Sequence, residues 1–488
     1  MRCSGCALFS AALALVAATA SAATDIQHNG VTWTLAGDTH VTGTFVTGDP
    51  WVVGPVTVVA ITTDRHAPGF EPRKGQDGSM VNPLVGHDRA KQGYDDGLPS
   101  YDPSLNAGRP NGRPVARANP LPLKAGSTLV SSVSWLYRSP QDAEPGCPRF
   151  NGTTKAPRPV TRAMGVLTVL AAAPAKGSFR PPYAGDDKTV RFHVDRLDRS
   201  KLLALDPVPA TPDVSRLEEA LSRTWVDHAF DWMGAMVHPS EHMPNYGRDM
   251  ANILLEASLV LHLDVDQLPG KPSKDRLLIS LVQFGIDSTG IADAGGGWRA
   301  NGGHGLGRKW PILFAGAVLG DPHMTNVGRW PRGFNQGVEF QEDQQHFHVT
   351  EADVARTHGN AWAPDRRNVK RGQALPYDAE HVGMAEWGIR HAYRPEADNR
   401  HPAAMYRQIN SGIIPGFALL ARMMGLQDAW NHDAMFDYAD RFMAEHDGGW
   451  GDGKKPVANA LKPFPYQMWH AHAKRFPGPG RSKDGKRR

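Results

Sequence analysis

With 488 residues, the chain can bury a large core and divide into two or three domains. Its net charge of +4, with many basic residues gathered at the C-terminal end, is too small to indicate a nucleic-acid partner. The compositional departure is 21 histidines and 13 tryptophans against 10 tyrosines, and flat indole faces stack on sugar rings as readily as they fill a core.

Residues 1–22 read as a secretory signal. Arg2 is the charged start, 7–18 is an apolar stretch, and Ala20-Ser21-Ala22 offers a small-residue cleavage site near Ala22. The expected location is the periplasm or the outside medium. Cys3 and Cys6 would leave with this segment, so Cys147 has no intramolecular disulfide partner in the mature chain. No later segment has the roughly 18 uninterrupted apolar residues of a membrane span, so none is expected.

Residues 23–180 alternate β-type runs with turn signals at 31–35, 42–46, 51–62, 128–137 and 163–171, which predicts an antiparallel β-sandwich. Pro-, Gly- and Asp-rich stretches such as 66–119 interrupt it. A compact domain carries such loops mainly when they are functional or pack over a surface. The segments 41–59 and 78–83 have the punctuation of tightly constrained hairpins and suggest no chemical role. A linker is expected over 181–210 and a mostly helical domain over 211–473. Thr211-Pro212 marks its start as a cap followed by proline, and Val214, Leu217, Leu221, Trp225, Ala229 and Trp232 recur at helical spacing. Further helices are expected over 250–263, 275–286, 310–319, 381–390, 413–424 and 430–446. Their lengths and the polar loops between them suggest an (α/α) toroid of stacked hairpins, although no fixed-period repeat is visible. The basic tail 474–488, rich in proline and glycine, is expected to be disordered.

The most informative stretch is GGGWRANGGHGLGRKW at 295–310. Seven glycines surround Trp298, Arg299, Asn301, His304, Arg308 and Lys309, and an apolar run follows. Glycine lets a backbone approach a ligand closely at an entropic cost. The polar members are donors without a carboxylate, which suits an anionic substrate. The alternative is a glycine-rich turn feeding a buried helix. Two more junctions carry similar residues. The stretch 238–252 holds His242, Asn245, Tyr246 and Arg248 before an apolar helix, whose start favours an anion. The stretch 381–410 holds His381, Glu386, Trp387, Arg390, His391, Arg394, Asp398, Asn399, Tyr406, Arg407 and Asn410.

An exported chain with such junctions and stacking tryptophans resembles the (α/α)-toroid polysaccharide lyases that act on uronate polymers such as alginate and glucuronan. The resemblance is one of architecture and residue types, and it covers the helical half. It implies β-elimination on an anionic polysaccharide, without a cofactor. It further implies that Asn301 and His304 hold the substrate carboxylate, with Arg308 or Arg248 beside them, and that Tyr246, His304, His391 or Tyr406 moves the protons. Asn245, Arg248, Trp298, Arg299, Lys309, Glu386, Arg390, Arg407 and Asn410 would line the substrate path. In this chain two glycines separate Asn301 from His304, where the family has an adjacent Asn-His pair. The chemistry calls for these residue types. Removing the C5 proton builds charge on the adjacent carboxylate, which preorganised donors stabilise. A tyrosine base needs nearby positive charge to lower its pKa from about 10, and Tyr246 has Arg248 two residues on.

Three other readings compete. A glycoside hydrolase would need two carboxylates about 5–10 Å apart, with Glu256, Asp287, Glu342, Asp343 and Glu386 as candidates. Glu386 can equally pair with Arg390 one helical turn on. A metal site would use His346 and His348, which alternate in QQHFHV downstream of Glu342 and Asp343. A non-catalytic carbohydrate-binding protein would use the β-half, with Trp33 and Trp51 as platforms. Their alternation with Val31, Leu35 and Val53 instead favours burial.

Overall fold

The computed structural model describes residues 21–22, 24–64, 75–83, 91–98, 100–139, 142–148, 160–229, 237–239, 247–332, 338–358, 377–388, 409–446 and 462–478. The first half is sheet. The strands are β1 (Ser21–Ala22), β2 (Asp25–His28), β3 (Val31–Leu35), β4 (Val41–Thr44), β5 (Pro50–Val53), β6 (Val56–Thr63), β7 (Ser79–Val81), β8 (Leu121–Leu123), β9 (Ser127–Ser134), β10 (Tyr137–Ser139), β11 (Asp142–Ala143) and β12 (Thr161–Leu170). One sheet runs β1-β4-β5-β12-β9-β7 and the other β2-β3-β6-β8, while β10 and β11 form a separate hairpin. The pairing is antiparallel except between β5 and β12, which run parallel, so the expectation of a purely antiparallel sheet is corrected at that one junction.

Alternation decides which faces meet. In β3, Val31, Trp33 and Leu35 are buried and the threonines between them are not, as a period of two requires. These residues pack against Leu129, Val133 and Leu167 of the other sheet, forming a core between the sheets. Trp33 and Trp51 are buried, and the Trp33 indole donates to Ser131 Oγ at 2.9 Å, so neither is a sugar platform.

The second half is helical. Its principal helices are α1 (Val214–Leu221), α2 (Gly247–Leu261), α3 (Asp275–Asp293), α4 (Lys309–Leu319), α5 (Gln341–Gln345), α6 (Ile414–Met423), α7 (Asp433–His446) and α8 (Pro463–His472). They pack in the spatial order α7-α6-α8-α2-α3-α4, with α1 against α2 and α3. Helix α4 is apolar on every side and is buried accordingly, ending at Gly320 in the left-handed conformation. Among the described residues no helix is long and apolar enough to cross a membrane.

Four expectations change. Helix α1 starts two residues later than the Thr211-Pro212 signal, because Asp213 caps it by accepting from the Ser215 N–H at 2.8 Å. It ends at Leu221, so Trp225 and Ala229 lie beyond it in irregular chain, and Trp232 lies outside the described residues. Within the helix expected over 381–390, the described residues instead hold a strand, β14 (Ala385–Trp387), antiparallel to β13 (His346–His348), and 389–390 lie outside the described residues. A partner strand some forty residues upstream supplies its hydrogen bonds, overriding the local helical pattern. Residues 181–210 hold two 3-10 turns, Val194–Arg196 and Arg199–Lys201, and are no free linker, since Tyr183, Ala184, Leu197 and Leu205 belong to the main core. Finally, 473–475 form a 3-10 turn with Phe476 packed on the core, so the described start of the tail is structured.

The two halves share that core, which joins Met80, Val130 and Met164 of the sheet to Leu254, Leu281 and Phe417 of the helices. A buried ion network fixes their register. Arg180 Nε donates to Asp49 Oδ2 at 2.7 Å, and its Nη1 and Nη2 donate to the two oxygens of Asp287, on α3, at 2.9 and 2.6 Å. His28 Nε2 lies 3.2 Å from Asp49 Oδ1. Desolvation offsets most of what such buried pairs contribute to stability, but their directional bonds demand one arrangement.

Candidate functional site

The glycine loop at 295–310 leaves the end of α3 and turns back to start α4. Its shape is imposed by α5, whose successive side chains bind the loop. Gln344 Oε1 accepts from the Ala300 N–H at 2.6 Å, and Gln341 Oε1 accepts from the Gly305 N–H at 2.8 Å. Gln341 Nε2 donates to the Gly302 carbonyl at 2.6 Å, and Glu342 Oε1 accepts from the Gly307 N–H at 2.7 Å. Asp343 completes the series by holding Lys309 Nζ at 2.9 and 2.6 Å. A backbone too rich in glycine to stay ordered alone is thereby held in one shape.

That fixing sorts the loop's side chains. Trp298, Arg308 and Lys309 point inward and are buried, whereas Arg299, Asn301 and His304 are half-buried. Lys309 is held by Asp343 and by the Trp430 carbonyl at 2.7 Å. Arg308 is bound to Asp227, with Nε 2.8 Å from Oδ2 and Nη2 3.3 Å from Oδ1. The assignment of Arg308 to catalysis and of Lys309 to substrate contact is therefore corrected: both cations neutralise buried carboxylates. Trp298 is likewise committed, its indole N–H donating to Asp227 Oδ2 at 2.8 Å and its ring stacking on Phe340.

Gly305 shows how tight the loop is. A Cβ there would lie 2.7 Å from the carbonyl oxygens of both Trp298 and Arg299. Gly305→Ala is expected to lower stability by about 1–3 kcal/mol through overpacking, read as a fall in melting temperature. An unchanged melting temperature would mean that the loop is free to move aside.

The other sequence candidates fall in different places. Asn245, Tyr246, Arg390, His391, Tyr406 and Arg407 lie outside the described residues. Arg248 sits in the first turn of α2, with Nη2 3.2 Å from Asp249 Oδ1 and Nη1 donating to the Ile409 carbonyl at 3.0 Å. The next residue, Asn410, is fully buried, and both ends of its amide lack a partner among the described residues. Glu386 is buried on β14, accepts from the Trp387 N–H at 2.8 Å and lies 3.4 Å from Arg441. His346 and His348 share a face of β13 but go to different partners. His346 packs on Trp387 and Tyr438 and bonds the Glu342 carbonyl, while His348 pairs with Asp437 at 2.7 Å. Among the described residues the set with convergent metal donors is Asp378, Glu380 and His381, which excludes both of them.

The hydrolase candidates are mostly committed too. Glu256 pairs with Arg216 at 2.7 Å, Asp287 with Arg180 and Asp343 with Lys309. Glu342 differs. Burial, reinforced by the charge of Asp343, pushes its carboxyl up to about 7, and its Oε2 has no partner among the described residues.

Sequence reasoning missed a polar cluster at the seam between sheet and helices. Asp227 collects Arg308, Trp298 and His238 Nε2, the last at 3.0 Å from Oδ1. Burial acts to raise its carboxyl, but Arg308 and His238 outweigh it and hold it well below the usual range. The neighbouring His228 lies between two phenols, with Tyr183 Oη 3.3 Å from its Nδ1 and the Tyr94 ring 5.8 Å away. Burial holds His228 down to about 4 and raises both tyrosines, so all three are neutral at neutral pH. Burial has moved all three away from neutral pH, which suits a fixed hydrogen-bonding cluster better than proton transfer. The Asp227-His228 dipeptide next to Trp225 was the available signal. Tyr94 and Tyr183 carried none, because their shared neighbour is far away in the chain.

No family model, curated protein or solved structure matches the chain.

Proposed function

We propose that the protein is an exported polysaccharide lyase that cleaves a uronate polymer such as alginate, polymannuronate or glucuronan by β-elimination. The helical layer behind the sheets is, in this reading, an (α/α) toroid carrying the cleft, and the sheets are a β-sandwich that forms one wall. The observation that carries the reading is the glycine loop. Held from behind by α5, it places a guanidinium, an amide and an imidazole, those of Arg299, Asn301 and His304, in half-buried positions on a segment with no carboxylate of its own. Such donors neutralise the charge that develops on a uronate carboxylate as the C5 proton leaves and the C4 oxygen is expelled. Arg308 acts from behind through Asp227 and Trp298, which makes it a positioning residue. Proton transfer falls to His304, Tyr246, His391 or Tyr406.

His304→Ala and Asn301→Ala are each expected to lower turnover by roughly 10²–10⁴-fold while leaving the melting temperature nearly unchanged. Large destabilisation by both would return the loop to a purely structural role. The activity itself is tested by ultraviolet absorbance on a panel of polyuronates, run beside a reducing-end assay that includes neutral glycans. Absorbance from a conjugated unsaturated uronate, rising with new reducing ends, supports the lyase. Reducing ends without absorbance favour a hydrolase, the reading for which the raised, half-unpaired carboxyl of Glu342 is the supporting observation. Silence in both assays favours a carbohydrate-binding protein.

A further inference from the structure

A cavity of about 430 Å³ opens between the irregular strap at 179–192 and the C-terminal part of α3, lined by neither the glycine loop nor the Asp227 cluster. We propose that it binds a small organic ammonium, a protonated amine carried on an apolar body. The volume lies within the range of small-molecule sites. Its inner wall is apolar, built from Phe179, Ile286 and Met324, all nearly fully buried.

The rim is acidic. Asp186, Asp187, Asp293 and Asp321 face the opening. Asp186 uses Oδ1 on Asn82 Nδ2 at 3.0 Å and Asp293 uses Oδ1 on His323 at 2.9 Å, leaving Oδ2 of each for a ligand. Among the described residues the nearby arginine and lysine side chains are already committed, and His323 is bonded to Asp293. Arg180 lies between Asp49 and Asp287, Arg191 pairs with Asp187 at 2.6 Å, and Lys188 Nζ is turned onto backbone carbonyls. The field at the mouth is therefore negative, which repels a polyuronate and attracts an ammonium group whose carbon body covers the apolar wall.

The walls are also preformed. Lys188 Nζ reaches the carbonyls of Pro182, Tyr183, Ala184 and Gly185 at 2.7, 3.1, 3.1 and 2.7 Å, drawing the strap around itself. The strap rests directly on α3, where a Cβ at Gly290 would fall 2.1 Å from Pro182 Cβ. A site that is rigid before binding loses little conformational entropy when occupied.

Isothermal titration of the full chain at low salt with phenethylammonium, 2-phenylethanol and 3-phenylpropanoate provides the test. Saturable binding of the ammonium, about tenfold or more tighter than the alcohol, is expected, with the carboxylate weakest. Thr189→Trp places an indole on an exposed lining position and should abolish the binding. Asp293→Asn should weaken it several-fold and make it less dependent on salt. Equal affinity for the three probes, no binding of any of them, or ammonium binding that survives Thr189→Trp would overturn the proposal. Because the readout is binding at a separate cavity, failure here is independent of the lyase assay.

Discussion

Asp227→Ala is expected to destabilise the protein by roughly 3–5 kcal/mol, and Arg308→Met added to it should restore part of the loss. The carboxylate is the meeting point of three buried donors: Arg308, His238 and the Trp298 indole. Removing it leaves a guanidinium that is 1% exposed with, among the described residues, the Leu306 carbonyl and Met250 Sδ as polar company. An uncompensated buried charge is far more costly than an absent pair, so the double variant, which removes charge and countercharge together, should be more stable than Asp227→Ala alone. Urea unfolding of the two single variants and the double closes the cycle. Strict additivity would mean that Arg308 and Asp227 are not energetically coupled and that the seam does not depend on this residue. The same substitution should reduce activity, since Trp298 and Arg308 fix both ends of the loop that carries Asn301 and His304.

Much of the fold was legible because its signals are local. Val31–Leu35 alternates β-branched and apolar residues and is a strand with those bounds, and the periodic apolar run near 413–424 is α6 within a residue at each end. What escaped depends on partners far away in the chain. The 381–390 stretch reads as helix until β13 is known to lie beside it. Arg308 and Lys309 read as open donors because nothing near them announces Asp227, 81 residues back, or Asp343, 34 residues on. The glycine loop was found by composition, but the clamp that shapes it was not: QEDQ at 341–344 looks like an ordinary polar helix start. Its burial becomes intelligible only when each side chain is seen to satisfy a loop backbone group or its lysine. His346 and His348 show the converse error, since alternation placed them on one face, while burial and Asp437 decided their separate uses.

Stability is expected to fall by several kcal/mol on acidification from pH 6.5 to about 4, with buried imidazoles as the cause. Burial pushes His228 and His432 down to about 4, and His262 and His346 down to about 3. A histidine whose folded pKa lies below its unfolded value of about 6.5 binds a proton more readily when unfolded. Its stabilising contribution is therefore complete above pH 6.5 and is lost as the pH falls toward the folded value. His262 makes the reason concrete. Its Nδ1 accepts from the Leu203 N–H at 3.2 Å, so a proton arriving there would set donor against donor. Glu342 acts in the opposite sense: with a folded value of about 7, its contribution is present below about 4.5 and is lost as the pH rises through 7. Acidification thus relieves Glu342 together with Glu256 and Asp287, whose carboxyls burial also raises, while it penalises these four imidazoles and that of His238, and the imidazoles prevail. Urea unfolding at pH 7, 6, 5 and 4.5 measures the slope, and His262→Gln, which retains an acceptor for Leu203 but cannot titrate, should reduce it by up to one proton. A flat profile in the unsubstituted protein would mean that these rings are not held neutral, and a variant with an undiminished slope would remove His262 from the set.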